Sequence, residues 1–211
     1  MNPKRAETIE RVLEKRQGNI TVLMENVIDQ HNIGAVLRSC DSIGVHEIFV
    51  LNNEEGLKGD FITIGKRTSS GARKWLNVHY YNDTEACFKH IRKYYSKIYT
   101  TKLSSDAKSL YDLDLADSVA LVFGNEQYGI TPESLALADQ NFIIPQVGMT
   151  QSLNISVACA VTLYEAYRQR LRKGFYEENN PMTESMRNTL RTEYHRRHEE
   201  QDNQEIILKI K

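Results

Sequence analysis

Residues 141–169 read NFIIPQVGMTQSLNISVACAVTLYEAYRQ. Phe142, Ile143 and Ile144 form a short apolar run that suits a buried strand. Pro145 has no N–H to give to a ladder and ends it. Residues 146–151 are small and polar and make a loop. An apolar-striped helix is expected from Ser152 or Leu153 to about residue 173. Gly148 and Met149 stand where a surface turn would ordinarily carry Asp or Lys. Ser152, Asn154 and Ser156 then put hydroxyl and amide groups on the first helical turn. Exposed backbone N–H groups at a helix start, with hydroxyls beside them, suit an anionic or polar ligand. The same residues also serve an ordinary capped turn, with Ser152 as the N-cap.

The strand-then-helix pattern repeats upstream. Residues 119–123, VALVF, are a strongly apolar strand; 124–129 form a tight loop, and Thr131-Pro132-Glu133 opens a short helix with Pro at its first position. Residues 75–81 and 97–101 read as strands around a helix that Asp83 or Thr84 caps. Residues 20–24 and 45–51 read as strands around another helix, for which Asn32 is a good N-cap and Gly44 a stop. Residues 3–16 form a short amphipathic helix. Residues 52–73 read as a short helix and flexible loops, and 104–117 as a polar connection. A final polar helix over 182–198 precedes a frayed tail. At least five alternations of strand and helix predict an α/β fold, a mostly parallel sheet flanked by helices. Its ligand site is expected at the carboxyl ends of the strands, after Met24, Thr101, Phe123 and Ile144.

The length of 211 residues suits one domain, 19–173, with helical extensions at 1–18 and 174–211. Twenty-seven Lys and Arg against 28 Asp and Glu give no overall basic signal, so any nucleic-acid surface must be local. Cys40, Cys87 and Cys159 make no C-x-x-C pair and read as reduced thiols of a cytoplasmic protein, with no zinc site visible. The start MNPKRAETIERV lacks the apolar run of a signal peptide, and no segment approaches a membrane span.

Several clusters carry candidate chemistry. Asn32 and Arg38 lie nearly two turns apart on one helix, where Arg38 places a fixed cation near a phosphate or a developing oxyanion. An exposed arginine after an Asn cap is the plainer alternative. Residues 123–130, FGNEQYGI, bracket Glu126 and two amides between glycines directly after an apolar strand. Residues 66–74, with Lys66, Arg67 and Arg73, are basic enough to track phosphates. The two chain ends are Arg-rich, with Arg11 in the first helix and Arg168 and Arg172 in the last turns of the long one; interspersed acids dilute that signal.

Taken in order, NIGAVLR (32–38), LVFGNEQYGI (121–130) and IIPQVGMTQSLNISVACA (143–160) resemble the three motifs of the SpoU branch of the SPOUT RNA methyltransferases. The likeness spans about residues 20–170. The Met-Asn-Pro start, the short first helix and the continuing last helix further resemble the members of that branch that methylate the guanosine-18 ribose of tRNA. The resemblance implies a C-terminal deep trefoil knot, a rare exception to the rule against knots. It implies S-adenosylmethionine bent within that knot against Thr101, Gly124, Glu126, Ile144, Gly148, Met149, Ser152 and Leu153. It places Arg38, Asn32, Glu126, Ser152 and Asn154 at the catalytic positions. It also implies a homodimer with active sites near the subunit interface, and tRNA held by the flanking helices, through Arg11, Arg168 and Arg172 and the basic loop of Lys66, Arg67 and Arg73.

The expected reaction is transfer of a methyl group to a ribose 2′-oxygen. A guanidinium has a pKa above about 12 and is a poor base, so Arg38 is expected to stabilise the developing alkoxide electrostatically. Two rivals stand beside this reading. One is a ribosomal or wobble-position ribose methyltransferase of the same branch; Arg-rich ends argue against a minimal wobble enzyme, and the lack of a large N-terminal RNA-recruiting domain against the usual ribosomal type. The other is a catalytically silent RNA-binding relative, which should bind RNA without the cofactor.

Overall fold

The computed structural model describes residues 3–64, 69–200 and 206–211. The apolar runs become one seven-stranded sheet. Its strands are β1 (Ile20–Glu25), β2 (Glu47–Leu51), β4 (Asn77–Tyr81), β5 (Lys97–Thr101), β6 (Lys108–Ser109), β7 (Val119–Phe123) and β8 (Gln140–Ile143), in the order β4-β2-β1-β7-β5-β8-β6. Every ladder in this sheet is parallel. All six residues of β1 and all five of β7 are buried, as strands covered on both faces must be. The order runs outward in both directions from the β1–β7 pair, so the loops leaving those strands part there. Such a reversal opens a crevice at the carboxyl ends of the strands.

Helices cover both faces. On one, α2 (Gln30–Ser42) packs with α5 (Ile155–Arg172) through Ile33, Val36, Leu37, Cys40, Cys159, Leu163 and Ala166. On the other, α3 (Thr84–Arg92) and the short α4 (Pro132–Ala136) cover Leu23, Phe49, Ile98 and Val122. The outer helices α1 (Pro3–Leu13) and α6 (Glu184–Glu199) share a small core of Ile9, Leu13, Met182, Leu190 and Tyr194, and Arg191 pairs with Glu10.

The structure corrects several expectations. Asp29, not Asn32, caps α2 by accepting from the His31 N–H, so Asn32 lies inside the helix with its side chain free for other work. Asn154, not Ser152, caps α5, accepting from the Ser156 N–H at 2.9 Å. Residues 52–73 contain a strand, β3 (Phe61–Ile64), paired antiparallel with β9 (Ile206–Lys209). The tail is therefore no frayed end: its apolar Ile206, Ile207 and Leu208 align with Ile64, Thr63 and Ile62. The Arg-rich flanks are also less available than their charge suggested. Arg16 is buried against Asp41, Tyr194 and the Val45 carbonyl. Arg170 is buried among Asn19 and the carbonyls of Leu115 and Asp117, and burial lowers its pKa to about 10. It is still charged at neutral pH, and it joins α5 to the starts of β1 and β7.

Candidate active site

The loop after β7 makes the first wall. A Cβ at Gly124 would lie 2.3 Å from the carbonyl carbon and oxygen of Gly129 and 2.6 Å from the Ile130 nitrogen. Only glycine lets the chain cross itself this closely. Asn125 holds the turn by accepting from the N–H groups of Gln127 and Tyr128 and, through its carbonyl, from that of Gly129. Gly129 takes φ 72°, a conformation glycine adopts without a Cβ penalty. The result is a tight hairpin with Glu126 exposed at its tip.

The three motifs meet at Asn32, which is 9% exposed. Its Nδ2 donates to Glu126 Oε1 at 2.5 Å, and its Oδ1 accepts from Asn154 Nδ2 at 3.1 Å. A carboxylate can only accept, so the amide orientation of Asn32 is fixed, and with it that of Asn154. Asn154 Oδ1 in turn accepts from the Ser156 N–H and hydroxyl. The start of α2, the hairpin after β7 and the start of α5 are thus tied into one chain of hydrogen bonds.

Beside that chain lies a cavity of about 640 Å³ at the ends of β5, β7 and β8. Thr101, Gly124, Glu126, Ile144, Gly148, Ser152 and Leu153 line it. Met149 does not: it is 99% exposed and lies outside the lining. Sequence reasoning missed Phe142, Ile155 and Ala158, which give the cavity apolar surface, and Lys102, which adds a cation. The signal for Ile155 and Ala158 was the apolar stripe of α5, which reads equally as core. The size matches a small-molecule site, typically about 300–1,000 Å³.

Arg38 is exposed on α2, outside the cavity lining, and no described residue pairs with it. Arg11 and Arg172 are exposed too. Arg168 is held bidentate by Glu165, at 2.6 and 2.8 Å. Arg73 is corrected: at 1% exposure, in the 3₁₀ turn Ala72–Trp75, it does not face RNA. Lys66 and Arg67 lie outside the described residues. Among those described, no cluster of His, Cys, Asp and Glu could hold a metal ion, and no helix is long and apolar enough to cross a membrane. Apolar side chains stand out where the cavity loop and α5 face solvent: Val147, Met149, Val157, Tyr164 and Leu171.

A parallel sheet with a reversal in strand order, and a glycine-lined cavity at its carboxyl ends, defines an α/β protein that binds a nucleotide-sized ligand. The model of the SpoU rRNA Methylase family matches residues 19–164, and the chain belongs to that family. A Thermus thermophilus protein named tRNA (guanosine(18)-2′-O)-methyltransferase is 41% identical over 173 residues, 82% of this chain and 87% of that one. The crystal structure of an A. aeolicus TrmH/SpoU tRNA modifying enzyme superposes with a TM-score of 0.83 at 32% identity, covering 94% of this chain and 98% of that one. An AdoMet-bound rRNA methyltransferase from Sinorhizobium meliloti superposes at 0.62 with 25% identity, over 74% of this chain and 59% of that one.

Proposed function

We propose that this chain is an S-adenosylmethionine-dependent methyltransferase acting on the 2′-oxygen of guanosine 18 in tRNA. The observation that carries the reading is the meeting of Glu126, Asn32 and Asn154, from three separate motifs, beside the cavity. The relatives' names point to the substrate. The cavity residues fit the cofactor. Nothing lies within 4 Å of a Cβ built at Gly148, so that wall offers room for close approach. Apolar Phe142, Ile144 and Leu153 suit a base and ribose, and Glu126 suits a cation. When bound, the cofactor supplies a methyl group made electrophilic by its sulfonium.

The chain's own residues then have distinct tasks. Asn32 holds Glu126 and Asn154 in register. Ser152 and Asn154 order the ribose and phosphate at the helix start. Arg38, without a partner among the described residues, neutralises the alkoxide that develops as the 2′-hydroxyl loses its proton. Arg11, Arg168 and Arg172 contribute to holding tRNA, with Lys66 and Arg67.

The same reading extends to the assembly. The helix that follows β8, α5, packs on α2, the helix that follows β1, an arrangement suited to a deep trefoil knot. Exposed Val157, Tyr164 and Leu171 repeat every seventh residue along one face of α5, a stripe suited to a homodimer with the active site close by. Residues 1–18 and 174–211 serve as RNA-facing extensions of the 19–173 catalytic unit, in a cytoplasmic enzyme. Methyl-labelled cofactor and unmodified tRNA should give labelled tRNA, whereas the same tRNA with 2′-deoxyguanosine at position 18 should stay unlabelled. Equal labelling of both, or labelling of ribosomal RNA alone, would refute the assignment.

A further inference from the structure

Glu25, the last residue of β1, is 0% exposed. A buried carboxylate is costly unless its oxygens are satisfied. Here Oε1 accepts from the hydroxyls of Thr131 and Ser134, both at 2.6 Å, and from Asn53 Nδ2 at 2.9 Å; Oε2 accepts from the Thr131 N–H at 3.1 Å. Thr131 is the far end of the hairpin that carries Glu126, and it caps α4. The neighbouring residue, Asn26, holds the near end. It takes φ 54°, a left-handed conformation, with its side chain locked in paired bonds to Asn53. That conformation turns its carbonyl to accept from Asn125 Nδ2 at 2.9 Å. Neither Glu25 nor Asn26 lines the cavity.

We infer that Glu25 is a positioning residue: with Asn26 it clamps the 125–131 hairpin at both ends and so sets where Glu126 meets Asn32 and the cofactor. Two consecutive residues at the end of the central strand reach opposite feet of one loop. The strand is buried along its whole length, so the clamp transmits the rigidity of the sheet to an exposed tip. The two hydroxyls can rotate to face another partner, but the Thr131 N–H on Oε2 and the Asn53 Nδ2 on Oε1 can only donate, so both oxygens are needed and an amide, with one, cannot replace the carboxylate.

The proposal rests on the methyltransferase reading for its consequence, but not for its first test. Hydrogen exchange of the Gln127, Tyr128 and Gly129 amides reads the clamp directly, without cofactor. In Glu25→Gln these amides should exchange about tenfold faster, the effect of losing one hydrogen bond to a charged acceptor. Leu13→Ala, in the separate small core that α1 shares with α6, should lower Tm and leave them unchanged. The second test is affinity: Glu25→Gln should weaken S-adenosylmethionine binding about tenfold and lower kcat, with KM for tRNA held within about twofold. Thr131→Val should follow Glu25→Gln, and Thr131→Ser, which keeps the hydroxyl, should restore wild-type values. Should Glu25→Gln fail to fold, the Thr131 pair carries both tests. Unchanged hairpin exchange, or a fall in Tm with cofactor affinity and kcat intact, overturns the proposal. Wild-type protein that bound no cofactor would overturn the methyltransferase reading instead, and the exchange result would stand.

Discussion

Gly124→Ala is the sharpest probe of how the cavity is built. The added methyl would sit 2.3 Å from the Gly129 carbonyl and 2.6 Å from the Ile130 nitrogen, whereas nonbonded carbon atoms prefer about 3.5–4.0 Å. The Gly129–Ile130 backbone must therefore retreat by about 1 Å. That backbone is held by the Gly129 N–H on the Asn125 carbonyl, at 2.9 Å, and by the Thr131 N–H on Glu25, at 3.1 Å. Overpacking of this kind costs about 1–3 kcal/mol, and stretching those bonds about 1 kcal/mol more, so a loss of about 2–4 kcal/mol of stability is expected. The hairpin moves as a unit, and the Glu126–Asn32 bond at 2.5 Å does not survive a shift of about 1 Å. Cofactor affinity should fall at least about tenfold, and the methyl-transfer rate about a hundredfold. Urea melts, calorimetric titration with S-adenosylmethionine and single-turnover transfer to tRNA measure the three effects. Affinity within twofold of wild type, with unchanged stability, would refute the claim that the crossing at Gly124 shapes the cavity.

Other perturbations separate the roles of neighbouring residues. A Cβ built at Gly148 meets nothing within 4 Å among the described residues, so in Gly148→Val stability should stay within about 0.5 kcal/mol while cofactor binding falls well below tRNA binding; equal losses in paired titrations would count against that wall. Asn32→Asp places a carboxylate against Glu126, at the 2.5 Å contact, and should impair transfer more than Asn32→Ala does, because like charges repel at that distance; the reverse ranking in single-turnover rates would show that the hydrogen-bonded chain is dispensable. Arg38→Lys keeps the charge and loses the planar fork, and near-normal activity would rule out bidentate contact. Far from the site, burial raises the Glu47 carboxyl, but His79 and Tyr95, hydrogen-bonded at 3.0 and 2.7 Å, and the nearby His46 outweigh it and hold the group at about 2. A lowered carboxyl contributes stability above its ordinary 4.5 and loses it as pH falls towards about 2, an effect of about 3 kcal/mol. Glu47→Gln should therefore cost most at pH 7 and little near pH 2 in urea melts; a cost independent of pH would exclude ionisation as its source.

What the sequence disclosed follows from how each signal arises. Apolar runs such as VALVF declare a buried parallel strand because both faces are covered, and the loops after them follow by position. The hairpin at Gly124 was legible because glycine, carboxylate and amides together suit little else at a strand end. Caps were harder. Ser152, Asn154 and Ser156 are all competent within one turn, as are Asp29 and Asn32, and only the geometry shows that Asn32 turns inward while Asp29 caps. The β3–β9 pairing joins residues far apart in sequence, and its four-residue strands leave too little periodicity to read. Glu25 looked like a polar end to an apolar strand, and nothing local reveals that its four donors come from Asn53, Thr131 and Ser134. Arg16 and Arg170 show the converse, since a charge run on paper gives no account of which guanidinium finds carbonyls to bury against.

The central claim is that the methyl donor occupies the hollow between the Gly124 hairpin and the Gly148 loop. A crystal structure of the protein soaked with S-adenosylmethionine tests it most directly. Density for the donor against Gly124, Thr101 and Leu153, with Glu126 still joined to Asn32, is the predicted result. Donor bound elsewhere on the sheet, or a hollow closed by the 146–151 loop, would contradict the account.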